Sequence, residues 1–137
     1  MATETAQTSA SATPATTATI DHNEVPANDP KKLQAFYSDR FGWKFEAMPA
    51  MPDYAAANIG EADDMLGFAV FSKMNEGASP VNYIGVESLA EHSARVEKLG
   101  GKVLHSFVVN HMGRGAICTD PEGNPVGLWQ SDPSAAD

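Results

Sequence analysis

The chain has 137 residues and a formal net charge of −9, from 18 acidic and 9 basic side chains. That length normally makes one domain with a core able to stand without disulfides or structural metal. Its single cysteine, Cys118, excludes an intramolecular disulfide and fits a reducing compartment, read as cytoplasmic. The acidic surface argues against nucleic acid and membrane as partners, and no apolar run approaches the ~18 residues that span a bilayer.

Residues 1–18 are almost entirely Ala, Thr and Ser with one charge, Glu4. They lack the basic and apolar regions of a secretory signal and the arginines of a presequence, so a disordered tail is expected. Thr19–Val25 reads as a strand. Asp29 and Pro30 read as the N-cap and first position of a helix, with Leu33, Phe36 and Tyr37 on one apolar face. Gly42 stops that helix, and Trp43–Glu46 resumes extended. Tyr54–Ile59 and Leu66–Ser72 read as a hairpin around Glu61–Asp64, followed by a linker at 74–80. Val81–Val86 is again a strand, and Ser88 with Glu91 reads as a capping box ahead of Leu89, Val96 and Leu99. After Gly100 and Gly101, Lys102–Phe107, Ala116–Thr119 and Val126–Gln130 read as strands, the last two joined by Asp120–Pro125. Residues 132–137 read as a short second tail.

The two halves repeat without gaps at an offset of 59. Asn23 falls on Asn82, Val25 on Ile84, Asp29 on Ser88, Gly42 on Gly101 and Phe45 on Leu104. Few identities survive; what repeats is the order strand, cap, helix, glycine, strand. The expected plan is βαβββ twice, in a module 19–73 and a module 81–131 of one domain, 19–131.

The run Ile20-Asp-His-Asn-Glu-Val-Pro26, then Asn28-Asp-Pro30, Phe36-Tyr37 and Phe41-Gly-Trp43, resembles the opening of glyoxalase/bleomycin-resistance proteins of the vicinal oxygen chelate superfamily. The ending Thr119-Asp-Pro-Glu-Gly-Asn-Pro-Val-Gly-Leu-Trp-Gln130 resembles that family more specifically. The resemblance implies an α+β fold in which paired βαβββ modules form a cupped, mixed eight-stranded sheet. It also implies one of several chemistries: glutathione-dependent lyase, epimerase, extradiol cleavage, fosfomycin transfer or drug sequestration. Fold alone does not choose among them.

Catalytic members of the family send one His or Glu from each of four strands to a divalent metal, which acts as a Lewis acid. In this chain the four positions fall on His22, Gly67 or Ala69, Val81 and Gly127, so His22 is the one surviving ligand. Zinc sites normally use at least three protein ligands. No cofactor is therefore expected; a divalent ion (Zn²⁺, Ni²⁺, Fe²⁺ or Mn²⁺) stands as the alternative, with His22, Glu24 and His111 as a substitute donor set. Period-2 alternation puts Glu24 on the cup face beside His22 as the catalytic pair, with Tyr83 and Trp129 on the same face. His105, His111 in a loop Val108–Gly115, and Arg114 between two glycines complete the candidate substrate contacts. Met48, Met51 and Met74 are candidates for lining the opening. Each has a plainer reading: His22 as a bonded strand histidine, Tyr83 and Trp129 as core, Arg114 as a surface cation, Cys118 as buried and inert.

The reading that follows is a metal-independent binder of an unidentified small molecule, working as a homodimer whose sheet edges are covered. Two alternatives remain: a glyoxalase-like lyase or isomerase using a non-standard metal or Glu24 as general base, and a partner-binding module without a ligand.

Overall fold

The computed structural model describes residues 18–48, 51, 53–60 and 67–136. Segment 1–17 and the turn expected at Glu61–Asp64 lie outside the described residues. The elements in chain order are β1 (Ile20–Ala27), α1 (Pro30–Phe41), β2 (Glu46–Ala47), β3 (Tyr54–Asn58) and β4 (Gly67–Ser72), then β5 (Val81–Gly85), α2 (Leu89–Lys98), β6 (Lys102–Val109), β7 (Gly113–Thr119) and β8 (Pro125–Ser131). The expected βαβββ plan, twice over, is the one observed.

All eight strands form one sheet in the order β2-β3-β4-β1-β5-β8-β7-β6. Within each half the first strand pairs in parallel with the fourth, β1 with β4 and β5 with β8. The halves join where β1 and β5 run antiparallel, with Asn23 opposite Asn82. Those two asparagines are also partners in the 59-residue repeat, so the local two-fold of the sheet passes between them. The Asn23 amide donates to the Asn82 side-chain oxygen across it.

Local chemistry sets the helix ends. The Asp29 carboxylate accepts from Lys32 N–H at 3.1 Å, and Pro30 occupies the first turn, where a missing N–H breaks no bond. Gly42 closes α1 in the left-handed region (φ 74°), its N–H donating to Ser38 O. The Ser88 hydroxyl accepts from Glu91 N–H at 3.2 Å at the start of α2. A second free N–H there, that of Leu89, donates to Gln130 Oε1 at 2.7 Å and ties the helix to β8.

Two cores lie between sheet and helices. One gathers Ala27, Phe68 and Val70 with Leu33, Tyr37, Trp43 and Phe45. The other gathers Ala116, Cys118 and Leu128 with Ile84, Val86, Leu89, Val96, Val103 and Val126. Cys118 is fully buried, as its plain reading expects.

Three segments differ from expectation. Trp43–Glu46 was expected to be extended, but only Glu46 and Ala47 pair, against Ala56 and Ala55. Trp43 instead stacks on Tyr37 at 5.6 Å and packs on Phe68 at 4.9 Å, so aromatic burial outweighs strand pairing there. Val108–Gly115 is no loop: β6 and β7 pair as far as Val109 and Gly113, leaving the turn Asn110–Met112 with His111 at φ 66°. Gly113 and Gly115, the two glycines beside Arg114, are floor for rings. Residues 132–136, read as a tail, are tied to that turn: Asp132 N–H donates to Met112 O, His111 N–H donates to Ala135 O, and Ala135 is fully buried.

Candidate functional site

The side of the sheet away from the helices is a cup enclosing a cavity of about 870 Å³. Its polar centre is on β1. Alternation sends His22 and Glu24 into the cup, while Val25 joins the core behind it. Glu24 is held at both oxygens: the Tyr54 hydroxyl donates to Oε2 at 2.8 Å and the Tyr83 hydroxyl donates to Oε1 at 3.0 Å. His22 Nε2 lies 2.7 Å from the Tyr54 oxygen. Tyr54 has one proton, given to Glu24, so His22 is the donor in that contact and carries its proton on Nε2. The chain of bonds runs from His22 through Tyr54 to Glu24, with Tyr83 on the far side. His22 and Glu24 themselves are 3.9 Å apart, outside hydrogen-bond range.

Tyr54 reaches Glu24 from β3, across β4. The residue between is Ala69, paired with Ala56 on one side and Glu24 on the other, whose buried methyl leaves room for the phenol. The same lateral row continues to Glu46 on β2, through Ala56. Two acidic residues therefore face one cup from backbone positions about 14 Å apart, three strand spacings, with only alanine between them in the row.

Burial sets the protonation states. It lowers the His22 pKa below its usual range, so the ring is neutral at neutral pH. It raises that of Glu24, and the tyrosine hydrogen bonds act against the rise. Tyr54 and Tyr83 are raised above the usual phenol range by burial and by the Glu24 charge, which keeps both as donors.

The second half supplies the wall. Tyr83 packs edge-on against Phe107 at 6.4 Å, and Phe107 lies 6.4 Å from Trp129. With His22 5.7 Å from Tyr83 and 6.4 Å from Tyr54, a band of rings crosses the cup. The rings lie over glycines: Phe107 on Gly115, Trp129 on Gly113, Tyr83 on Gly127 and His22 on Gly67.

Of the residues expected from the sequence, the structure brings together His22, Glu24, Tyr83 and Trp129, with Met48 and Met51 at the cavity lining. It does not bring in the rest. His105 is exposed on β6 with its ring 5.8 Å from Phe107, and it does not line the cavity. His111 is at the tip of the β6–β7 turn, because β6 and β7 extend further than expected. Arg114 is fixed in β7, pairs with Asp132 at 3.7 Å and does not line the cavity. Met74 is 83% exposed and lines nothing.

Sequence reasoning missed Tyr54, Phe107, Asp21 and Glu46. Asp21 enters the lining because the β1–β5 register shifts between Ile20 and His22; strict alternation would turn it away. Its carboxylate lies over Gly85 and accepts from Thr19 Oγ1 at 2.6 Å. The signal for Tyr54 was one large polar side chain heading the run Tyr54-Ala-Ala-Ala-Asn58.

The glyoxalase-like domain family matches residues 17–129 of this chain. The chain belongs to that family. Two relatives are close in sequence. The glyoxylase-like domain-containing protein of Didymella fabae is 34% identical over 109 residues, 74% of this chain and 84% of its own. The provisionally assigned glyoxylase CFP32 of Mycobacterium bovis is 30% identical over 120 residues, 80% of this chain, but the match spans only 44% of CFP32. Among solved structures, Streptomyces coelicolor methylmalonyl-CoA epimerase in complex with 2-nitronate-propionyl-CoA superposes with a TM-score of 0.62 at 15% identity, covering 87% of this chain and 98% of the epimerase. That likeness is one of fold.

The superfamily's metal positions can be tested in place. A Cβ at Gly67 would collide with the His22 imidazole, and one at Gly127 with the Tyr83 ring. Ala69 and Val81 carry no donor atoms. Among the described residues no three His, Cys, Asp or Glu side chains gather as a metal-binding group, and the substitute set fails because His111 is outside the cup. The described residues at these positions do not fit the divalent metal centre of the superfamily. Among the described residues no helix is long and apolar enough to cross a membrane.

Proposed function

We propose that this glyoxalase-like domain binds a small organic molecule in its cup without a metal, using Glu24 as the polar anchor. The observation carrying the reading is that one half-buried carboxylate is held by two tyrosine hydroxyls inside an aromatic-walled cavity of about 870 Å³. Cavities of roughly 300–1,000 Å³, mostly apolar with a few convergent polar groups, are typical of small-molecule sites. His22, Tyr54 and Tyr83 fix where the Glu24 charge sits, and Phe107 and Trp129 supply apolar contact. The surviving family ligand, His22, then serves as a hydrogen-bonding residue rather than as part of a metal site.

A metabolite screen by thermal shift tests this. A ligand at 100 times its Kd adds about 2.7 kcal/mol of stability. The shift should survive chelation and disappear in Glu24→Gln. If the purified protein instead holds one divalent ion per chain, released by His22→Ala, the metal-independent reading fails.

A second reading has its own support. A carboxylate with a raised pKa, bonded through Tyr54 to a neutral histidine, is equipped to take a proton from a carbon acid. The epimerase of like fold makes an isomerase a natural form for such chemistry. Glu24-dependent incorporation of solvent deuterium into a bound ligand separates catalysis from binding alone.

A further inference from the structure

The charged side chains lining the cup are unequal in sign. Asp21, Glu24 and Glu46 face it, against Lys44 alone. The histidine that could add positive charge, His22, is neutral by burial, and the basic residues nearest in sequence expectation, Arg114 and His105, are outside the lining. Glu24 also retains acceptor capacity: a carboxylate has about four lone-pair sites, and the tyrosines occupy two. Beside it lie the faces and edges of His22, Tyr83 and Phe107. Aromatic faces attract cations and offer nothing comparable to anions. The whole chain, at −9, favours approach of cations over anions as well.

We propose that the ligand of this cup is an organic cation, a protonated amine carried on an aromatic or alicyclic body, with the ammonium at Glu24 and the body along Tyr83, Phe107 and Trp129. The inference rests on the binding reading above and narrows it to one ligand class. An ammonium at Glu24 replaces water as a partner of the carboxylate, while the tyrosine hydroxyls keep their bonds. Glu46, about 14 Å away across the alanine row, meets a second donor of a longer ligand. An anionic ligand would place like charges together beside the half-buried Glu24, where repulsion is greater than at an exposed site.

Three probes share one indole body and differ in charge: tryptamine, the neutral tryptophol and the anionic indole-3-propionate. Titration calorimetry of the full chain at low salt should rank tryptamine tightest, tenfold or more above tryptophol, with indole-3-propionate weakest. Glu24→Gln should bring tryptamine to within twofold of tryptophol. Glu46→Gln, a change at an exposed position, should reduce the tryptamine preference only two- to threefold and guards against a folding defect in the first variant. Equal affinity for all three probes, or preference for the acid, overturns the cation assignment and leaves the binding cup standing. Absence of binding by all three at millimolar concentration overturns both.

Discussion

The two halves of the sheet share a plan and divide the work. The half from β1 to β4 builds its core from rings, with Phe68 in contact with Tyr37, Trp43 and Phe45, and supplies the polar groups His22, Glu24 and Tyr54. The half from β5 to β8 builds its core from aliphatic side chains and turns its rings the other way, so that Tyr83, Phe107 and Trp129 wall the cup over Gly127, Gly115 and Gly113. The first half thus keeps its aromatic core behind the sheet, with Tyr54 in front, and the second half turns Tyr83, Phe107 and Trp129 to the front. The repeat constrains the backbone, not the side of the sheet on which volume sits. That freedom lets a symmetric scaffold make an asymmetric site.

The largest effect tests the cores. Phe68→Ala should cost about 3–5 kcal/mol in urea unfolding, because it empties the centre of the aromatic core. Cys118→Ala in the aliphatic core should cost about 1 kcal/mol, since it removes one buried sulfur. The two clusters share no member, so the losses should add within ~0.5 kcal/mol in the double variant. Marked non-additivity would mean that the halves form one core.

The next effect tests the junction. Tyr54→Phe leaves a half-buried carboxylate with one donor fewer and His22 without its acceptor, for about 1–3 kcal/mol of stability. Tyr83→Phe removes only one bond to Glu24 and should fall at the low end of that range. Equal costs would mean that His22 takes no part in the network.

The pH dependence of stability follows from the same groups. Glu24 is raised above its ordinary 4.5, so between that value and its folded pKa the folded protein holds more protons than the unfolded one. Stability from this group is therefore full in acid and falls as pH rises through that window. His22 acts oppositely: lowered from 6.5, it makes the folded state bind fewer protons, so stability falls as pH drops below 6.5. In melting curves from pH 4 to 8, the Tm of Glu24→Gln relative to the natural chain should rise with pH and then level. A flat difference would mean that burial does not raise the Glu24 pKa.

The sheet plan was legible because caps and glycines punctuate both halves at one offset, and Asn23 facing Asn82 turns that offset into a register. His22, Glu24, Tyr83 and Trp129 were legible because alternation assigns a face without knowledge of neighbours. Tyr54 was not, since its role depends on a small residue, Ala69, in the strand beside it. Asp21 was not, because a register shift breaks alternation. The extent of β6 and β7 through Val108–Gly115 was not legible either, since a glycine that ends a strand and a glycine that seats a ring look alike in one sequence.

The smallest expected effect is also the sharpest on where the site ends. His105 and Arg114 belong to the ring-walled half but lie outside the cavity lining. Arg114→Ala breaks an ion pair with Asp132 whose side chains are 41% and 25% exposed, and such pairs contribute about 0–1 kcal/mol. His105→Ala loses one ring contact on an exposed edge strand and should stay within about 0.5 kcal/mol. Neither should change the tryptamine affinity by more than twofold. The ion pair also helps hold residues 132–136 against the Asn110–Met112 turn, so Arg114→Ala should speed amide exchange at His111 and Ala135, whose N–H groups bond within that contact. A loss of ligand affinity on removing Arg114, with exchange unchanged, would move the boundary of the site past Trp129 and onto β7. In that case the second half contributes charge as well as rings.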